Sequence, residues 1–166
     1  MPPQNVKISK LYYAVDGSTE PFELTFAAED FEGLRLTGPV VASGELMRVE
    51  EGVMLLLQQL QATQTDHCAF CNKLIKEAVN FEPSEWLFYE TKPQEDDGAD
   101  ELLFLDKKQM EIDPFEPVRQ ELMLNRNPVL HCAKPCVKFK EPSAPEPVKP
   151  LAGLKKLLKN GNNTHA

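Results

Sequence analysis

Four cysteines fall along this chain as two close pairs, Cys68 and Cys71 as CxxC and Cys132 and Cys136 as CxxxC, with residues 72–131 between them. A tetrahedral ion asks for this spacing. Each short loop offers two thiolates from one side, and the ion clamps two remote segments together. The cysteines are all used in pairs, and Met1-Pro-Pro-Gln-Asn-Val-Lys7 lacks the apolar run of a secretion signal, which together favour metal over disulfides. The expected cofactor is Zn2+, held by Cys68, Cys71, Cys132 and Cys136. Four thiolates close the coordination sphere, so such a site staples and does not catalyse. Two alternatives stay open at this point: a redox CxxC, whose usual βαβ setting is missing around Cys68, and ordinary half-buried cysteines. His67 and His131 each precede a cysteine and are either substitute ligands or exposed neighbours.

With 166 residues, 42% hydrophobic and 27% charged, the chain suits one globular domain and a short appendage. The net charge of −8 argues against attraction of the whole molecule to nucleic acid. No apolar run of about 18 residues is present to cross a bilayer. A soluble, cytoplasmic protein is the expectation. The charge is uneven, however. Residues 1–133 hold 11 Lys/Arg against 24 Asp/Glu, a net of −13, whereas 134–166 hold seven Lys against two Glu, a net of +5. Prolines 142, 145, 147 and 150 make 141–150 an extended tether, because proline fixes φ and lacks an N–H. Beyond it, Leu151, Leu154 and Leu158 sit at helical spacing among Lys155, Lys156 and Lys159. The expected organisation is a β-rich domain over 1–140, a Pro-rich linker over 141–150 and a short basic helix and tail over 151–166. That tail is either a solubiliser or a basic recognition element, and Lys134, Lys138 and Lys140 extend its charge toward the domain.

Within the domain, Val6–Val15 and Pro21–Ala27 read as strands around an Asp16-Gly-Ser18 turn. Leu34–Val49 reads as a strand bent or bulged at Gly38 and Gly44. Glu50-Glu-Gly52 then forms a hairpin loop into Val53–Thr63. That last segment is ambiguous. Val53, Leu56, Leu57 and Leu60 fit the helix template, while the position after a hairpin argues for strand. Lys76–Phe81 and Trp86–Tyr89 are further short strands, and 91–101 is an acidic, solvated loop. Asp113-Pro-Phe-Glu116 supplies a capping box with proline at the first helical position, so a helix is expected over 114–124 with Phe115, Val118 and Leu122 on its buried face. Phosphate-cradling loops, nucleophile elbows and His-Glu-x-x-His are all lacking.

The order of these features carries a resemblance. His67-Cys-Ala-Phe-Cys-Asn-Lys73 is followed by the acidic loop and by Glu111-Ile-Asp-Pro-Phe-Glu-Pro-Val-Arg-Gln-Glu-Leu-Met-Leu124. Next come Asn127-Pro-Val-Leu-His-Cys-Ala-Lys-Pro-Cys136 and Lys149-Pro-Leu-Ala-Gly-Leu-Lys-Lys-Leu157. Over roughly residues 38–158 the chain resembles the YceD family, the large ribosomal RNA subunit accumulation proteins. Pro114 stands where that family has Leu after Ile-Asp, and fewer cysteines follow the second pair than is usual there. The resemblance implies that Val53–Thr63 is a strand, and that the fold is α+β, a mainly antiparallel sheet with one covering helix. It also implies a non-enzymatic role in ribosome biogenesis, supporting accumulation of large-subunit (23S) rRNA by binding the rRNA precursor or a large-subunit ribosomal protein. No membrane or small-molecule substrate is expected. Lys134, Lys138, Lys140, Lys155, Lys156 and Lys159 are the candidate RNA or partner contacts, and no catalytic residue is transferred. A zinc-stapled adaptor without a nucleic-acid role and a CxxC thiol-redox protein are the competing readings.

Overall fold

The computed structural model describes residues 4–93, 102–132 and 136. The strands are β1 (Val6–Lys7), β2 (Thr19–Phe26), β3 (Leu36–Val49), β4 (Gly52–His67), β5 (Leu74–Ala78), β6 (Ser84–Tyr89), β7 (Leu103–Phe104) and β8 (Glu111–Ile112). Two α-helices, α1 (Ser9–Tyr12) and α2 (Phe115–Asn125), and a 3-10 turn at Ala28–Asp30 complete the chain order. The result is mainly β-sheet, with α2 the one helix of more than a turn among the described residues. No helix among them is long and apolar enough to cross a membrane.

The sheet grows from one long hairpin. β3 and β4 pair from Val49↔Gly52 out to Leu36↔Gln64, and β2 adds antiparallel to the free side of β3. The other side of β4 is shared. Its first half pairs with β6 (Gly52↔Tyr89 to Leu57↔Ser84), and its last five residues pair with β5 (Thr63↔Ala78 to His67↔Leu74). β7 joins β6 in parallel, the one non-antiparallel pairing of this sheet among the described residues. β1 and β8 form a separate two-stranded ribbon.

Segment 53–63 is strand, and its helix-like spacing has a structural cause. Between the pairs Ser43↔Gln59 and Gly44↔Leu57 the register slips by one residue, so Gln58 is extra. Before this bulge the buried residues are Val53, Leu55 and Leu57, and after it they are Leu60, Ala62 and Gln64. The i, i+3 step from Leu57 to Leu60 is thus a strand changing parity, not a helical turn. Gly44 lies opposite. A Cβ there would collide with the backbone carbonyl oxygen of Leu56, so only glycine lets the two strands approach this closely.

Two expectations need correcting. Of Val6–Val15 only Val6–Lys7 is strand, and a single helical turn follows at Ser9–Tyr12. Ile8 and Leu11 are both buried; a regular strand would turn residues three apart to opposite faces, whereas a helical turn keeps them on one. Helix α2 begins one residue later than expected, with Pro114 at the N-cap position and Phe115 as the first helical residue; Asp113 Oδ1 still accepts the Phe115 N–H at 2.9 Å, but the capping box does not close. Glu116 instead accepts from Arg119 Nε at 2.8 Å and from Gln120 Nε2 at 2.9 Å. Helix α2 otherwise runs as the spacing predicts, with Val118 and Leu122 fully buried.

A single apolar cluster fills the space between the inner sheet face and the elements that cover it: Ile8, Leu11, Phe31 and helix α2. Phe115 stacks on Phe31 (5.0 Å between centroids, 16°) and meets the edge of Phe26 at 6.0 Å, fastening the start of α2 to β2. At the other end of the helix the buried Glu121 accepts a hydrogen bond from Trp86 Nε1 at 3.1 Å and another from Asn125 Nδ2 at 3.0 Å. An apolar helix face and one satisfied carboxylate therefore orient α2 over the sheet.

Candidate metal centre

The last residue of β4 is His67, so Cys68 leaves the sheet directly from its longest strand. The first cysteine loop is a tight turn. Cys68 N–H donates to the Lys73 carbonyl (2.8 Å), Asn72 N–H donates back to the Cys68 carbonyl (2.9 Å), and Asn72 adopts a left-handed φ of 59°. Asparagine tolerates that conformation better than most residues. The second loop follows the end of α2. It is tied to β4 by the buried Gln64, whose Nε2 donates to the Asn127 carbonyl (3.1 Å) while its Oε1 accepts the Asn127 N–H (3.0 Å). One side chain thus pairs with a backbone amide as a neighbouring strand would. Ala69 N–H to the Leu130 carbonyl (3.1 Å) joins the two loops directly, and Leu130 is buried beneath them.

These ties bring the four sulfurs together. Cys68 Sγ lies 3.4 Å from Cys136 Sγ and Cys71 Sγ lies 3.6 Å from Cys132 Sγ, and all four lie within 4.8 Å of one another. A tetrahedron with Zn–S bonds of about 2.3 Å has S···S edges of roughly 3.8 Å. The 3.4 and 3.6 Å spacings lie just below that value, none exceeds it by more than about 1 Å, and all are far longer than a disulfide bond of about 2.05 Å. The donor set could therefore hold an ion such as zinc, as the sequence spacing predicts.

The thiols differ in their ease of ionisation. Cys68 is held down to about 5, first by the backbone N–H groups of Cys71 and Phe70 that point at its sulfur, against the opposing effect of burial. Cys136 is pushed up to about 12, chiefly because its S–H donates to the Cys68 sulfur. Cys132 is raised as well, first through its hydrogen bond with Cys71. Four thiolates at this separation repel one another, so protons stay on some of them unless a cation takes their place.

Neither histidine belongs to the donor set among the described residues. His67 lies at the exposed end of β4, and its backbone N–H donates to Asp66 Oδ1 at 2.8 Å. The ring of His131 stacks on Phe70, with centroids 4.8 Å apart and planes 22° from parallel. Lys134, Lys138, Lys140, Lys155, Lys156 and Lys159, with the tether and the tail helix, lie outside the described residues. Gln64 and the Phe70–His131 stack did not stand out in the sequence. An aromatic residue between the two cysteines of a CxxC is the signal that could have pointed to Phe70.

No family model, curated protein or solved structure matches this chain.

Proposed function

We propose that the chain is a non-catalytic ribosome-biogenesis factor, a zinc-stapled β-sheet scaffold that supports accumulation of large-subunit rRNA by holding the precursor RNA or a ribosomal protein. The order of motifs from His67 to Leu157 supports the ribosomal part of this reading through its resemblance to the YceD family. The observation that carries the scaffold part is the convergence of all four sulfurs within 4.8 Å. A metal held there has its coordination sphere filled by protein, which leaves no open position for substrate or water. The ion would fasten the end of β4 to the loop after α2, and the exposed surface of both loops would be presented rigidly.

The thiol-redox reading draws on the lowered pKa of Cys68. Against it, Cys68 is only 2% exposed and its sulfur faces three others, so an incoming disulfide has no line of attack. The adaptor reading shares the staple and differs only in partner.

The decisive experiment is sucrose-gradient sedimentation of a cell extract, with crosslinking to identify bound RNA and protein. Co-migration with large-subunit precursors is expected, and deletion of 141–166 is expected to weaken it while leaving the domain folded. A chain that stays at the top of the gradient, with no rRNA or ribosomal protein crosslinked, would refute the ribosomal assignment. Bound metal is measured on the same preparation, and a stoichiometry near zero after purification in zinc-containing buffer would refute the staple.

A further inference from the structure

Strand β4 changes character along its length. After the bulge its outward positions are Gln59, Gln61, Thr63 and Thr65, the polar half of the alternation expected for a sheet with one wet face. Before the bulge there is no alternation: Val53-Met-Leu-Leu-Leu57 is apolar throughout, as in a strand covered on both sides. Val53, Leu55 and Leu57 point into the core. Met54 and Leu56 point away from it, are half-buried, and neither belong to the apolar cluster nor pack against it. Cross-strand pairing widens this patch. Met54 lies between Met47 of β3 and Leu87 of β6, and the nearby Tyr89 meets Phe104, which is 49% exposed. Near the hairpin the outer face is therefore apolar, and built partly of methionine, whose flexible thioether adapts to a partner.

The next row is charged. Leu56 lies between Glu45 of β3 and Glu85 of β6, and with strands about 4.8 Å apart these two residues stand roughly 10 Å from each other. Neither is paired with a cation among the described residues. β2, β4 and β6 contain no Lys or Arg, and Arg48, the one in β3, sits on the inner side against Tyr12 and Glu90.

We propose that this face docks an amphipathic helix of a basic protein, its apolar stripe over Met54 and Leu56 and its flanking Lys or Arg side chains against Glu45 and Glu85. A helix about 10 Å across matches the span between the two glutamates. Side chains one turn apart on it rise about 5.4 Å, close to the roughly 7 Å from Met54 to Leu56. Helix α2 covers the inner face in the same manner. Charge and reach select against other occupants. RNA would set its phosphates against Glu45 and Glu85. A second copy would bring a like set of carboxylates. The chain's own Lys-rich segment begins at Leu151, 15 residues beyond Cys136, whereas Leu56 lies 12 residues of strand, about 40 Å, from Cys68. The intervening chain would have to be pulled nearly straight to reach it. The inference rests on the ribosomal reading only for the partner's source, where it selects a ribosomal protein over rRNA as the ligand of this face.

The test uses the full-length chain, purified in zinc-containing buffer, and two fluorescently labelled amphipathic peptides of about 15 residues, read by anisotropy. One is built of Leu and Lys, the other of Leu and Glu in the same positions. The parent is expected to bind the Leu/Lys peptide and to ignore the Leu/Glu peptide. Leu56→Asp is expected to weaken binding by about tenfold to a hundredfold. Mere attraction between charges would do the opposite, because that variant is more acidic. Glu45→Lys combined with Glu85→Lys is expected to invert the preference. Near-ultraviolet circular dichroism of Trp86 reports folding, and if Leu56→Asp misfolds the inverted variant carries the test. Equal binding of the two peptides, or a preference unchanged by the charge inversion, would overturn the inference. In cells, a photocrosslinking phenylalanine derivative at position 56 is expected to capture a Lys/Arg-rich helix of a ribosomal protein. Capture of RNA, of a second copy or of residues 141–166 would overturn the inference while leaving the ribosomal role standing. Capture of a basic helix by a chain that never sediments with ribosomal precursors would do the reverse.

Discussion

With an ion held by the four cysteines as proposed, its chelation should open the second cysteine loop and leave the sheet intact. Without an ion, Arg126–Cys132 is tied to the rest of the chain by four hydrogen bonds: two between Gln64 and Asn127, one from Ala69 to Leu130 and one from the Arg126 N–H to the Leu122 carbonyl. At about 1 kcal/mol each they contribute roughly 4 kcal/mol. Burial of the Leu130 side chain, 3% exposed, adds about 2 kcal/mol. Fixing the backbone of these seven residues costs about 1–2 kcal/mol apiece, or roughly 10 kcal/mol. The contacts therefore fall short by about 4 kcal/mol, and a structural zinc worth about 10–16 kcal/mol would turn that deficit into stability. β3 and β4 lie outside this balance, since their ladder and the inner-face cluster do not involve the cysteines. Hydrogen exchange with and without a chelator is the assay. The amides of Ala69, Asn72 and Asn127 should lose protection by orders of magnitude, while Leu46 and Leu55 keep theirs. Unchanged protection at Asn127 in metal-free protein would show that the loop is held by its own contacts and that the staple is superfluous. Loss of protection throughout β3 and β4 would show equally that the division between loop and sheet is mistaken.

Three further outcomes are expected. Zinc affinity should rise steeply through neutral pH: Cys132 and Cys136, both raised, each release a proton on binding, whereas Cys68, at about 5, is already a thiolate. The apparent Kd should therefore fall by at least about a hundredfold per pH unit near pH 7, and a tenfold or smaller change in competition titrations would contradict this. Gly44→Ala should cost more than about 3 kcal/mol in urea unfolding, because the added methyl meets the Leu56 backbone in the middle of the sheet. Gly17→Ala, in open space at φ 84°, should cost only about 1 kcal/mol, and equal costs would refute the close-approach argument. Trp86→Phe should lose about 1–3 kcal/mol, since the buried Glu121 carboxylate is left without its indole donor, and adding Glu121→Leu should recover part of that loss.

Much of this architecture was legible in the sequence because it rests on local signals. The Asp16-Gly-Ser18 turn, the hairpin at Glu50-Glu51 and the helix after Asp113 are each set by a few adjacent residues, and each lies within a residue of where the spacing puts it, Gly52 joining β4 rather than the loop. The cysteine convergence was legible for a different reason: a single ion has room for four sulfurs only when remote pairs meet. What escaped depended on distant partners. The helical template over 53–63 competed with strand because a bulge at Gln58 changes the inward parity, and the bulge is set by Gly44 across the ladder. Gln64 and Glu121 look like surface residues until Asn127 and Trp86 come to meet them. Val6–Val15 alternates plausibly as a strand, and only the shared burial of Ile8 and Leu11 shows why a turn of helix replaces it.

The sharing of β4 between three neighbours limits where this chain can change length. The strand runs unbroken from the hairpin at Gly52 to His67, one residue before Cys68, so every added or deleted residue along it moves the first cysteine pair. Inserting one residue would turn the following side chains to the opposite face of the sheet and carry Cys68 away from Cys136. Inserting two would keep the face but displace the loop by about 7 Å, well beyond the reach of a metal–sulfur bond. Insertions and deletions among homologous chains should accordingly be excluded from 52–71.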